Sequence, residues 1–255
     1  MSTVKKNVKY GWKRDLPDIR DLKYVPMKQG ITLPALVDLR YLCPAPYDQT
    51  TLGSCTANAT AGLSEFVLMR ESKGTFVPSR LAIYYWTRLL EGDPTQDNGA
   101  ELRDALKVVN TYGVPHESLW WYDVAKFAVK PNAAVVADAA KNKVTKFTSI
   151  DNTNLNDMKS CLAGGTPFVF GFTAYPELES DAVAKSGILP MPTGKEQPIG
   201  GHAVCAVGYD DSKSMFIVRN SWGARWGLSG YFYMPYKYLT NKDLSDDFWT
   251  IESIA

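Results

Sequence analysis

The rhythm of apolar and polar positions changes once along this chain. From about Leu33 to Asp123, apolar residues recur at intervals of three and four, the spacing of one helix face. The stretch "CTANATAGLSEFVLMRESKG" sets Ala59, Leu63, Phe66 and Val67 on one stripe and reaches a candidate C-cap at Gly74. "SRLAIYYWTRLLEG" and "AELRDALKVVNTYG" repeat the design, each closing on glycine. Beyond about Lys143, short runs rich in β-branched and aromatic residues predict strands: "VTKFTSI", "PFVFGFTAY", "HAVCAVGYD", "MFIVRN" and "GYFYMPYKYL". One further helix, "NLNDMKSCLAGG", lies among them. Helices first and strands later predict an α+β protein of two lobes with a cleft between them. Residues 1–32 hold no sustained period, contain Pro17, Pro26 and Gly30, and are set apart as an N-terminal arm.

Composition narrows the function classes only by exclusion. The chain has 255 residues, 45% hydrophobic and 22% charged, enough to bury the core of one large domain or two intimate lobes. A formal net charge of +1 leaves no electrostatic footprint for nucleic acid or an anionic membrane. No apolar run approaches the ~20 residues a membrane span needs. The opening "MSTVKKNVKYGWKRDLPDIRD" is basic but lacks the apolar core of a Sec-type signal. The expectation is a cytoplasmic protein, unless an export signal is of another kind or absent from this chain. Cys43, Cys55, Cys161 and Cys205 lie far apart with no CxxC pair, against a zinc ribbon or a small disulfide scaffold. Buried free thiols are the default reading; nothing in the sequence requires a Cys43–Cys161 bridge. No metal or cofactor is implied.

In "LGSCTANA", Gly53 and Ser54 read as helix entry and N-cap, which puts Cys55 in the first turn. A helix N-terminus lowers a thiol pKa, and the thiolate is the nucleophile. A buried core cysteine is the plain alternative. A nucleophile also needs a base, and the chain has only His116 and His202. His116, beside Pro115, reads as an exposed loop residue. His202 falls in a strand pattern with Val204, Ala206 and Gly208 on its face. Taking "DDSK", residues 210–213, as a hairpin loop sets His202 opposite Asn220 to within one residue. Opposed residues have Cβ atoms ~4.5–5.5 Å apart, so the Asn carbonyl can hold one imidazole nitrogen and leave the other for a thiol. The Cys55 backbone N–H and the Gln49 amide are candidate donors to a developing oxyanion.

Together "QTTLGSC", "GGHAVCAVGYD" and "NSWGARWGLSGYFYM" resemble the papain-like cysteine peptidases, with His202 and Asn220 lying 147 and 165 residues after Cys55. "LPALVDLR", from Leu33, resembles the start of that family's mature domain. The resemblance implies an α+β, two-lobed fold. A helical left lobe, about residues 33–125, would carry the nucleophile, and a β-barrel-like right lobe, about 126–255, the His and Asn. It implies a cysteine endopeptidase with Cys55 as nucleophile, His202 as base and acid, Asn220 as orienter and Gln49 as oxyanion donor. Trp222 would shield the His202–Asn220 bond. Gly53 would offer backbone beside the scissile bond, Gly99 and Ala100 would form the strip that pairs with extended substrate, and Gly201 and Ala203 would shape the main specificity pocket.

Two departures stand out: Leu52 replaces a family cysteine, removing a disulfide, and Thr56 replaces an aromatic residue. Neither touches the reacting groups, and keeping Gln, Cys, His and Asn together argues against a degenerate pseudoenzyme. Two rival readings are a Cys–His acyl transferase, with an amine taking the acyl group, and a non-catalytic peptide-binding module. The expected partner is a peptide or protein substrate. The arm is too short for the family's helical prosegment and does not resemble it. It is read either as folding back over the cleft, anchored by Tyr10 and Trp12, or as packing on the far side.

Overall fold

The computed structural model describes residues 8–26 and 32–255. The arm's first seven residues and residues 27–31, Gly30 among them, lie outside the described residues.

Helix α1 (Cys55–Arg70) buries 14 of its 16 residues, including Thr56, Asn58, Ser64 and Glu65. It is therefore enclosed on every side rather than along one stripe, which is the behaviour of a central helix. It ends at Arg70, four residues before the expected glycine cap. Ser54 precedes it but makes no capping hydrogen bond. Its hydroxyl instead pairs with the Tyr122 hydroxyl at 2.5 Å and accepts from Asn58 Nδ2 at 3.0 Å. Before α1 come β1 (Trp12–Lys13) in the arm and β2 (Leu36–Asp38). After it come α2 (Arg80–Leu90), β3 (Ala100–Glu101), α3 (Leu102–Thr111) and a short α4 (Ala133–Ala139) that the periodicity did not reveal.

The second half supplies β4 (Val144–Ser149), α5 (Leu155–Ala163), β5 (Phe168–Ala174), α6 (Asp181–Ser186), β6 (Gly200–Asp210) and β7 (Met215–Arg219). β8 (Tyr231–Pro235), α7 (Tyr236–Leu239) and β9 (Ser245–Ile254) follow. The run "YKYL", expected as strand, is the helical turn α7. The sheet order is β4-β9-β5-β6-β7-β8, with β2 beside the end of β6. β4 and β8 do not pair with each other, so the sheet stays open where a barrel-like lobe was expected.

β9 was not foreseen, because "SDDFWTIESI" opens on two aspartates, which are poor strand formers. Its pairing with β5 slips between Gly171↔Asp246 and Val169↔Trp249. Asp247 sits in that slip with φ +59°, the left-handed conformation of a β-bulge that re-aims a side chain.

The central strand β6 is buried on both faces, as its continuous apolar run requires. At the end of the neighbouring strand β7, Arg219 reaches under α1 at Gly62, where a Cβ would lie 2.2 Å from Nη1. That guanidinium is pinned: Nη2 donates to the Ala45 carbonyl at 2.7 Å and the group lies over the Tyr47 ring. Gly62→Ala is therefore expected to destabilise the protein by about 1–3 kcal/mol despite alanine's better helix propensity, read as a lower urea midpoint.

Candidate active site

Cys55 opens α1 and is wholly buried. His202 lies in β6, also fully buried, with Nε2 2.8 Å from Asn220 Oδ1. The same Oδ1 accepts the Ser221 N–H at 2.8 Å, which identifies it as the oxygen. Nε2 therefore carries the proton, and Nδ1, which has no hydrogen-bond partner among the described residues, is the basic nitrogen. The pair is reached differently from the expected register. β6 and β7 are joined at Cys205↔Arg219 and slip by one between Ala206 and Gly208. Asn220 thus lies just past the end of β7 and is not directly opposite His202. The bond is made diagonally by the side chains. The Trp222 ring lies 5.1 Å from the imidazole and takes the Trp226 edge at 5.0 Å.

Gln49 is completely buried and held on all sides. Its Oε1 accepts from Ser221 Oγ at 2.7 Å, and its Nε2 donates to the Leu52 carbonyl at 3.0 Å and the Lys9 carbonyl at 3.1 Å. Ser221 thus orients both Gln49 and Asn220, a double role for which the sequence offered no signal. Gly53 N–H donates to Asp97 at 3.1 Å, and Asp97 also takes the Tyr84 hydroxyl at 2.6 Å. Gly99 has φ +81°, and a Cβ there would meet the Gly11 carbonyl oxygen at 2.2 Å. Ala100 donates its N–H to that carbonyl at 2.7 Å, beside the parallel pairing of β1 with β3.

Arm residues line this whole surface. Tyr10 sets its ring edge-on to His202 at 5.8 Å and bonds Glu179 through its hydroxyl at 2.8 Å. Gly11 lies flat on Gly53, where a Cβ would meet the Gly53 carbonyl oxygen at 1.8 Å. The Trp12 indole fills the space a Cβ on Gly171 would need, at 1.9 Å, and lies 2.8 Å from the Cβ position of Gly201. Its Nε1 donates to Asp247 Oδ2 at 2.8 Å. Ala203 is buried one residue past His202, and its N–H favours the Cys55 thiolate.

Electrostatically the site departs from expectation. Burial pushes the Cys55 thiol up to about 11, although the N–H groups of Ala203, Gly11, Thr56 and Cys55 itself pull the other way. Burial likewise takes His202 down to about 4 against the raising effect of Asn220. Desolvation outweighs the helix start, so burial under the arm disfavours the thiolate–imidazolium pair. His116, expected as an exposed loop residue, is partly enclosed, stacked on Phe76 at 3.7 Å with Nδ1 2.7 Å from Asp138. All four cysteines are free, Cys43 and Cys161 included.

A family model described as papain family cysteine protease matches residues 33–242. The chain belongs to the papain family of cysteine proteases. A peptidase C1-like protein of Acanthamoeba polyphaga mimivirus is 41% identical over the whole chain and 89% of its own length. Cysteine proteinase 2 of Entamoeba histolytica is 28% identical over 73% of the chain and 58% of its own length. Among solved structures, xylellain, a cysteine protease from Xylella fastidiosa, superposes with TM-score 0.90 at 39% identity, each chain fully covered. A digestive procathepsin L of Tenebrio molitor, 20% identical, shares the fold with TM-score 0.72, over 91% of this chain and 75% of its own. The protein is thus a cysteine peptidase of α+β, papain-like fold. Among the described residues, no helix is long and apolar enough to cross a membrane.

Proposed function

We propose that this peptidase cleaves peptide bonds within protein chains through Cys55, His202 and Asn220, with Gln49 as oxyanion donor, and that its own arm restrains it. The observation that carries the reading is the Gln49 amide already donating to a peptide carbonyl, that of Lys9. A substrate carbonyl at that donor would be polarised as its oxygen gains charge. Lys9 to Trp12 run as continuous chain past Gln49, Gly53 and His202, the passage an endopeptidase needs.

Once the arm leaves and water returns, the proton of Cys55 passes to His202 Nδ1. The thiolate attacks the substrate carbonyl carbon, and the oxyanion is held by Gln49 Nε2 and the Cys55 N–H. His202 gives its proton to the leaving amine as the C–N bond breaks, leaving a thioester. Water, deprotonated by Nδ1, opens the thioester to the acid and restores the thiol. Asn220 keeps the Nε2 proton in place throughout, and Trp222 shields that bond.

Cys55→Ala is expected to abolish hydrolysis of fluorogenic peptides. In brief iodoacetamide treatment at pH 5.5, wild-type Cys55 is expected to label slowly, and a chain starting at Leu33 to label fast and hydrolyse faster. Equal rates for the two chains would refute the restraint. Products carrying an added amine in place of the free acid would refute hydrolysis.

A further inference from the structure

Where the arm leaves the groove it forms a second polar seam. Asp15 of the arm and Asp247 of the β9 bulge are only 6% and 8% exposed. Asp247 Oδ2 accepts from the Asp15 N–H at 2.9 Å and from Trp12 Nε1 at 2.8 Å. Asp15 Oδ2 accepts from Trp249 Nε1 at 3.0 Å, and its carboxylate faces the Arg103 N–H at 3.3 Å. The surrounding charges offset the pair only in part: Arg103 lowers both carboxyls, without reversing the effect of burial. Arg103, on α3, gives its guanidinium to Asp21 at 2.9 Å, and Arg14 lies 3.6 Å from Asp246. Four carboxyls, Asp15, Asp21, Asp246 and Asp247, thus meet two guanidiniums, those of Arg14 and Arg103, and the two least paired carboxyls are buried together.

We propose that Asp15 and Asp247 share one proton across the seam between arm and sheet, and that its loss as pH rises releases the arm. The inference rests on the arm's covering the proposed catalytic groove. When the carboxylic O–H ionises, its proton goes to solvent. Two buried carboxylates then face each other, an arrangement of like charges that a protein interior resists. Withdrawal of the arm puts Asp15 into water and ends the repulsion. Burial raises both carboxyls, with the charge of Asp247 adding to Asp15 and that of Asp246 adding to Asp247. Because the covered state holds the proton more tightly than the open one, covering is favoured in acid. The advantage is present below the ordinary carboxylate range of about 4 and is lost as pH climbs through the raised values. The arm is also held by the ion pairs Lys9–Asp97 at 2.8 Å and Lys13–Glu91 at 2.9 Å.

The test uses the full chain carrying Cys55→Ser, so that self-cleavage cannot interfere and no turnover is required. Hydrogen exchange of the Ala100 and Asp15 amides, both bonded across the seam, is followed from pH 5 to 9 and corrected for intrinsic rates. The arm-opening constant is expected to rise by up to tenfold per pH unit and then level off. Asp15→Asn and Asp247→Asn, each imitating a protonated acid, are expected to flatten the profile. A flat profile in the parent chain, or a slope that survives in both variants with only the level shifted, would overturn the proposal. The exchange profile stands or falls independently of whether any peptide is hydrolysed.

Discussion

Trp12→Ala in the full chain is expected to raise the rate of peptide hydrolysis by about 30- to 100-fold. The indole sits where Gly171 and Gly201 leave room for it, and its Nε1 donates to Asp247. Emptying a fully buried tryptophan site costs about 3–5 kcal/mol, and a hydrogen bond to a charged acceptor about 1.5–3. Trp12 is only half-buried and its polar partner regains water, so a loss of about 2–3 kcal/mol in arm docking is reasonable. At 1.4 kcal/mol per decade that shifts the open fraction by one and a half to two decades. The rate follows so long as the open form is the minority. Gly171→Ala approaches the same contact from the other side, since its Cβ would fall 1.9 Å from the ring, and should act in the same direction. If neither substitution changes hydrolysis or the labelling of Cys55, the arm does not restrain the site.

Gln49→Ala is expected to lower kcat by about 10²–10³-fold with a much smaller change in KM, the pattern of a donor used mainly in the transition state. A disordered site could also lose activity, and the arm provides the control. Gln49 Nε2 holds the Lys9 carbonyl at 3.1 Å, so its removal weakens docking by one hydrogen bond. Cys55 labelling should therefore hold steady or quicken while kcat falls. A fall in both would indicate collapse of the site, and an unchanged kcat would remove Gln49 from the oxyanion role. Gln49→Glu keeps an oxygen for Ser221 but sets a carboxylate against the oxyanion, and is expected to be at least as slow.

The residues proposed to carry the chemistry stand out in the sequence because their neighbours follow local rules. Cys55 stands at a helix start announced by Gly53 and Ser54, and His202 and Asn220 flank a hairpin whose loop is plainly polar. The major helices came from hydrophobic period, and the strands β4 to β8 from short runs rich in β-branched and aromatic residues. β9 stayed hidden because two aspartates stand near its start, and Asp247 is buried there by arm groups distant in sequence, the Asp15 N–H and Trp12 Nε1. The diagonal His202–Asn220 contact was out of reach for a similar reason: it follows from a one-residue slip that only packing decides.

The charge state of the site shows where sequence reading stops. From sequence the helix start predicts a depressed thiol, yet burial holds Cys55 up at about 11 and His202 down at about 4. That Cys55 opens a helix and that His202 and Asn220 flank one hairpin is a local matter, and the sequence by itself determined it. Whether those groups meet water is not local. That depends on residues 9–15 lying across β3, β5 and β6 from the far end of the chain, so only the tertiary structure decided the protonation of the site and the pairing of Asp15 with Asp247.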